Sequence, residues 1–515
     1  MNGAECLLRT LLAQGVDTCF MNPGTSEMQF VSALDRVPEM RAVLCLFEGV
    51  CSGAADGYAR MLRRPAATLL HLGPGLANGI SNFHNARKAR SPIVSIVGQH
   101  STAHLRYDAP LTADIEGLAR TVSSYARTLE APERMGEAAA ATVQAACAPP
   151  GQVATLIVPA DFSWSEAGNP LIDRRRGAPP APSVDCVREA ARILRSGRPT
   201  AFLMGGSAVL EAGRGLAGKL AAGTGVRVFA SRYAARMTCG GGKFTPRRLA
   251  YFPEPAEAML AGLKHLFLVE SLPPVSFFGY PGRGSYLAPE DCAVHELAPI
   301  GTDGAQALEA LAEECGVKSV PPPTPDMRPH TPPEAAGLTL DTLGAALASL
   351  LPEGAIVSDE MVSSSETIMR HLASAATFDH LPVTGGSIGQ GLPVAVGAAL
   401  ACPDRKVIAL EADGSGMYTL QALWTAAREQ LDIVTVILAN ARYRILDIEM
   451  QRTGGAMGTR ANEMVDISRP RLDWVQLAQG MGVPATRATT TAEFATQFRA
   501  AINRNGPALI EAVLG

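Results

Sequence analysis

Four runs in the first third of the chain, RAVLCLF, AATLLHL, PIVSIVG and VATLIVP, are apolar at almost every position. Alanine-rich segments with helical spacing separate them. A strand that alternates apolar and polar residues has one wet face, whereas a strand apolar throughout is covered on both. Parallel neighbours need a long crossover, usually a helix. The chain is thereby restricted to parallel sheets with helices packed on either side. The pattern then recurs twice. PTAFLMGG, VRVFAS and HLFLVES form a middle set, and AIVSDE, KVIALEADG, DIVTVILAN and PALIEAVL form a last one. Between the sets lie 165–183 and 319–337, rich in proline, glycine and charge. Prolines remove backbone donors and restrain their neighbours, so both stretches read as linkers. We expect three doubly wound α/β domains, at 1–168, 184–320 and 337–515, and 515 residues are enough for them.

Charge excludes some functions. Lys and Arg total 45 against 49 Asp and Glu, a net charge of −4, which offers no basic field for nucleic acid or an anionic membrane. Ten cysteines include no CxxC pair, the usage of reduced thiols in a cytoplasmic protein. The opening MNGAECLLRTLLAQGVDTCF carries an acid where a signal peptide would be basic, and its spacing suits an amphipathic helix. No apolar run is long enough to span a bilayer. A soluble, cytoplasmic protein is expected.

The chemistry concentrates in LEADGSGMYTLQALWTAAREQLDIVTVILANARY. It reads as strand, acidic turn, crossover helix, strand, then Asn. Ligands of an open parallel sheet gather beyond the carboxyl ends of its strands, so Asp413 and Asn440 belong at one edge. A carboxylate and an amide oxygen are hard ligands suited to Mg²⁺, an ion that commonly binds through substrate or cofactor phosphates as well. In DGSG, the backbone N–H groups around Gly414 and the Ser415 hydroxyl face a helix start, a natural phosphate seat. Read alone, the turn is more simply an ordinary N-cap; the second strand with its terminal Asn tips the reading to a ligand site.

These residues resemble the thiamine-diphosphate (ThDP) enzymes of the decarboxylase and acetolactate synthase group, nearest in pattern to benzoylformate decarboxylase. The family's diphosphate motif stands here as ADGS and AN, with Ala412 and Ala439 at its two variant positions. The resemblance implies a first domain that binds the pyrimidine, a central Rossmann-like domain and a third that binds the diphosphate. It implies Mg²⁺ held by Asp413, Asn440 and the carbonyl of Arg442. In GGSIGQGLPVAVGAAL it makes Ile388 the apolar wedge under the bent cofactor and Gly386 the carbonyl acceptor for the 4′-amino group. In LCLFEGVCSGAADGYAR it makes Glu48 the carboxylate that meets ring N1′, a proton placement worth ~10²–10⁴ in rate. Thr25 in NPGTSE, His71 in LLHLGPGLANG and Gln99 in IVGQH become candidates for carboxylate binding and proton transfer. His84, His100 and His104 read as surface or loop residues.

The implied reaction is decarboxylation of a 2-oxo acid, with release of an aldehyde or joining to a second carbonyl. The alternatives are an acetolactate-synthase-type carboligase, an oxidase or acyl-transferring relative, and an idle ThDP-binding homologue. LMGGSAVLEAGRG in the middle block is a strand, glycine turn and helix that would suit packing or a nucleotide; FAD there is not the favoured reading. VSFFGYPG has phenylalanines where benzoylformate decarboxylase places a second His, and Phe277, Phe278 and Tyr280 line a pocket or simply pack. The family also implies a homodimer or homotetramer with each site shared between subunits.

Overall fold

The computed structural model describes residues 1–172, 179–325 and 337–514. Parts of both expected linkers therefore lie outside the described residues. Each of the apolar runs is a strand. The first sheet contains β1 (Thr18–Asn22), β2 (Arg41–Leu44), β3 (Ala66–Leu70), β4 (Ile93–Gln99), β5 (Tyr125–Thr128) and β6 (Val153–Pro159). They run in the order 2-1-3-4-6-5, all parallel. The predicted amphipathic helix is Gly3–Ala13, begun by Asn2, whose side chain accepts from the Glu5 N–H.

The second sheet holds β7 (Thr200–Met204) and β8 (Arg227–Ala230). The chain then leaves it: β9 (Met237–Cys239) pairs antiparallel with a strand of the third sheet. It returns as β10 (Arg247–Arg248), β11 (His265–Val269) and β12 (Ala293–Ala298), in the order 10-8-7-11-12. The third sheet is β13 (Ala355–Glu360), β14 (Phe378–Pro382), β15 (Val407–Ala412), β16 (Ile433–Ala439), β17 (Ala485–Ala488) and β18 (Ala508–Val513). Its order is 17-18-16-15-13-14, with β9 on the end. Counted from its own first strand, that is the order of the first sheet. The outer domains share one topology, so each reverses direction between its first and third strands and opens a crevice there.

The outer domains are welded together. Helix Glu48–Leu62 lies against helix Gly391–Ala401 so closely that a Cβ on Gly397 would run into the Ala54 carbonyl, and one on Gly57 into that of Val394. One apolar core continues from Phe20 and Val97 of the first sheet to Ile356 and Ala409 of the third. Polar ties fix the middle domain. Arg236 donates twice to Asp379, at 2.9 Å each, and Arg405 donates to the same carboxylate at 2.8 Å. Buried Arg60, paired with Asp56, ties the two outer domains to each other, reaching the Pro382 carbonyl and the Thr384 hydroxyl, both at 2.9 Å.

Candidate active site

The ends of β1, β2, β3 and β4 in the first sheet each deliver a polar group to the same edge. Glu48 follows β2 at the first position of its helix and is only 7% exposed; it accepts from the Asn78 amide at 3.0 Å. Gly75 leaves room for it, since a Cβ there would stand 3.2 Å from Glu48 Oε1 and 3.4 Å from His71 Cβ. Glu48 and His71 therefore flank one small gap. His71 follows β3 and precedes Leu72, which is buried with a left-handed φ of 47°, a strained turn of the kind found at functional sites. Gln99, 8% exposed at the end of β4, accepts from the His100 N–H at 2.8 Å. Thr25 opens the short turn after β1 and is exposed.

Sequence reading missed Glu27. Buried at the end of that turn, its Oε2 takes the Gly24 N–H and His71 Nδ1, each at 2.8 Å. Burial raises its pKa, and the neighbouring imidazole opposes the rise. Gly24 has no side chain, which lets the ring lie directly against it. The signal in the sequence is the acid three residues after Gly24 in NPGTSE.

In the third sheet Asp413 and Asn440 follow adjacent strands, β15 and β16. Asp413 is buried; its Oδ1 accepts from Gly414 N–H at 2.9 Å and its Oδ2 from Ala441 N–H at 2.6 Å. Burial raises its pKa, and these N–H donors pull the other way. Asn440 Oδ1 accepts from Arg442 N–H at 2.9 Å. Ala441 between them has a left-handed φ of 56°, so the loop is held in a conformation an alanine rarely adopts. The Arg442 guanidinium turns away to Asp447 and Asn462, leaving its carbonyl on the loop. Ser415 and Gly414 are buried in the turn Asp413–Gly416. Among the described residues no three His, Cys, Asp or Glu side chains converge as a metal cage. A cation here would lean on one carboxylate, an amide, a carbonyl and the phosphates of its ligand, which is the donor set Mg²⁺ accepts.

Gly386 has φ 80° and is exposed, and Ile388 is half-buried beside it. Helix Leu72–Ala89 of the first domain holds this loop. His84 bonds the Gly385 carbonyl at 3.1 Å, Asn85 the Ser387 carbonyl at 2.8 Å and Asn82 the Gly389 carbonyl at 3.0 Å. His84 is thus a loop-holding residue. Phe277 packs against Gly386 and meets Tyr233 and Tyr251 at a tilt and Phe278 edge to face, whereas Phe278 is exposed. Tyr280 donates to Glu449. Glu360, at the end of β13, was also missed. It accepts from Gly389 N–H at 2.5 Å and from Gly391 N–H, and burial pushes it up to about 7. Glu411 is driven well above the carboxylate range, first by burial and then by the charge of Glu360.

No hydrogen bond or ion pair among the described residues joins Glu48 or His71 to Asp413 or Asn440. The two halves stand at separate sheet edges. The sequence matches the model of the thiamine pyrophosphate enzyme N-terminal TPP binding domain over 1–118 and that of the C-terminal TPP binding domain over 363–512. The chain belongs to the thiamine pyrophosphate enzyme family. A Mycobacterium tuberculosis protein provisionally named an acetolactate synthase large subunit is 49% identical over 516 residues, covering 100% of this chain and 99% of that one. The benzoylformate decarboxylase of Pseudomonas aeruginosa is 30% identical over 97% of this chain and 96% of its own. The solved ThDP-dependent 4-hydroxybenzoylformate decarboxylase of Rhodococcus jostii RHA1 superposes with a TM-score of 0.88 at 26% identity, covering 100% of this chain and 99% of that one. This thiamine pyrophosphate enzyme is therefore of the decarboxylase and acetolactate synthase type, with the three-domain α/β fold that type has.

Proposed function

We propose that this enzyme uses ThDP with Mg²⁺ to decarboxylate a small-molecule 2-oxo acid, and that it either releases an aldehyde or joins the remaining fragment to a second carbonyl. The cofactor, when bound, supplies the carbanion and the electron sink. The chain supplies placement. Asp413, Asn440 and the Arg442 carbonyl would hold the ion, and Gly414 and Ser415 the diphosphate. Gly386 and Ile388 would orient the rings, and Glu48 would hold a proton at the aminopyrimidine. His71, oriented by Glu27, would move a proton at the substrate, with Thr25 and Gln99 binding its carboxylate. The domain limits 1–168, 184–320 and 337–515 belong to this reading, as do a homodimeric or homotetrameric assembly and a cytoplasmic setting.

The observation that carries the reading is the pairing of Asp413 and Asn440 on adjacent strand ends, beside a buried phosphate-type turn, while the topologically equivalent edge of the first domain buries Glu48 next to His71. One feature favours the carboligase branch. The 277–280 loop carries no His, and Phe277 is locked in an aromatic cluster, so protonation to free aldehyde has one proton carrier fewer. The test is CO₂ release from the ThDP/Mg²⁺ protein with pyruvate, branched 2-oxo acids and benzoylformate, each with and without an aldehyde acceptor. Release matched by free aldehyde marks a decarboxylase, and release that needs the acceptor marks a carboligase. No release from any donor would sink the reading.

A further inference from the structure

An acetolactate-synthase-type enzyme would bring a flavin dinucleotide to the middle domain, and the second sheet has a crevice for one. Its order reverses between β7 and β11, the position where a doubly wound sheet receives a nucleotide's phosphates. Around that point lie the features of an anion seat. Gly205, Gly206 and Ser207 turn the chain after β7, and helix Gly304–Glu314 begins after β12. A cavity of about 780 Å³ opens beside them, with Arg63, Lys88, Arg90 and Arg232 on its walls.

The seat is already filled. Glu270, the first residue after β11, sends its carboxylate into it. Its Oε2 accepts from Ser207 N–H at 2.7 Å, Ser207 Oγ–H at 2.5 Å and Gly304 N–H at 3.0 Å. A Cβ on Gly206 would collide with Oε1, and one on Gly304 would stand 2.6 Å from Oε2. The backbone is bent to make this fit, because Glu270 holds a left-handed φ of 50° that a glycine would adopt freely. A second carboxylate, Asp303, caps the same helix through Ala305 and Gln306 N–H and stands 3.1 Å from Ser207 Oγ, whose proton goes to Glu270. An entering phosphate would find its N–H donors taken and two negative charges in place.

We propose that the Glu270 carboxylate is the resident anion of the middle domain's phosphate seat, so that this domain excludes a dinucleotide diphosphate and the enzyme works without flavin. This goes beyond the substrate reading and stands apart from it, since it concerns neither the 2-oxo acid nor the ThDP residues. The test uses the full-length protein saturated with ThDP and Mg²⁺, so that the cofactor's own diphosphate site is closed. FAD and ADP binding are measured by calorimetry, together with flavin absorbance after purification, for the wild type, Glu270→Gly and Glu270→Gln. The wild type is expected to carry no flavin and to bind neither ligand. Glu270→Gly empties the seat without backbone strain and should bind ADP about tenfold or more tighter. Glu270→Gln, whose amide oxygen still accepts the same N–H groups, should stay as silent as the wild type. Stoichiometric flavin or FAD binding in the wild type overturns the proposal, and so does Glu270→Gly that folds yet gains no ADP affinity. The wild-type measurement decides the matter even if Glu270→Gly does not fold.

Discussion

Glu27 shows how one buried acid can set the geometry of another residue. Its carboxylate divides between a backbone N–H and the His71 ring, so the imidazole is held in one orientation over Gly24. Glu27→Gln keeps an oxygen for Gly24 but loses the charge beside the ring. We expect kcat to fall by about ten- to a hundredfold, the usual cost of losing the group that orients a reacting side chain, while the melting temperature hardly moves. Unchanged turnover would assign Glu27 to the scaffold alone. Glu360 offers a second residue-scale test through its titration. Burial lifts it from an ordinary 4.5 to about 7, so between those values the folded chain holds a proton that the unfolded chain has released. Stability should therefore be greatest at the acid end of that window and decline as pH rises towards 7, by about 3 kcal/mol at most. Denaturant titrations of the cofactor-free protein across pH 4.5–7, compared with Glu360→Gln, should show the decline in the wild type and a flatter profile in the variant. Parallel profiles would mean that the lifted pKa is not at Glu360.

At the scale of elements, the contact between helices Glu48–Leu62 and Gly391–Ala401 is decided by glycine. With no side chain at Gly57 and Gly397, each backbone lies against a carbonyl of the other helix. Gly397→Ala would drive a methyl into the Ala54 carbonyl, and neither helix can retreat through a filled core. The expected loss is about 1–3 kcal/mol or more, read from denaturant midpoints. Gly215→Ala is the matched control. It lies within helix Glu211–Thr224 with nothing within 4 Å of a new Cβ, so the change should stabilise by a few tenths to about 1 kcal/mol. Equal effects at the two glycines would show that helix propensity, not close approach, governs both. Helix 391–401 also follows directly on the segment that presents Gly386 and Ile388, so looseness at this contact reaches the proposed cofactor loop.

For the whole molecule, the separation of Glu48 and His71 from Asp413 and Asn440 raises the question of where a complete site forms. Under the proposed assembly, the first domain of one subunit meets the third domain of its partner. Co-expression of a Glu48→Gln chain with an Asp413→Ala chain tests this directly. Each homo-oligomer should be nearly inactive, whereas the co-expressed population should recover up to about a quarter of wild-type activity, because about half of the dimers are mixed and one of the two sites in each is intact. No recovery in a verified mixed oligomer would place all four residues in a site within one chain.

Much of this was legible in the order of the residues. Continuous apolar runs became parallel strands because a strand covered on both faces has no use for polar side chains, and Asp413 and Asn440 lay at one edge because strand ends are where such a sheet leaves backbone free. Other parts were not legible, for a common reason. β14 reads Phe-Asp-His-Leu-Pro, too polar for a buried strand, and is one only because Arg236 and Arg405 meet Asp379 while Asp359 meets His380. β9 leaves its own block to finish another domain's sheet, and no local pattern records a partner 140 residues away. Glu27, Glu360 and Glu270 were likewise hidden, each an acid at a strand end or turn. Periodicity along the chain determines which faces are buried, and thereby the fold class. Which charges are neutralised, and by whom, is decided only when distant segments bring their donors to the same point, because a buried carboxylate has no meaning until its partners are in place.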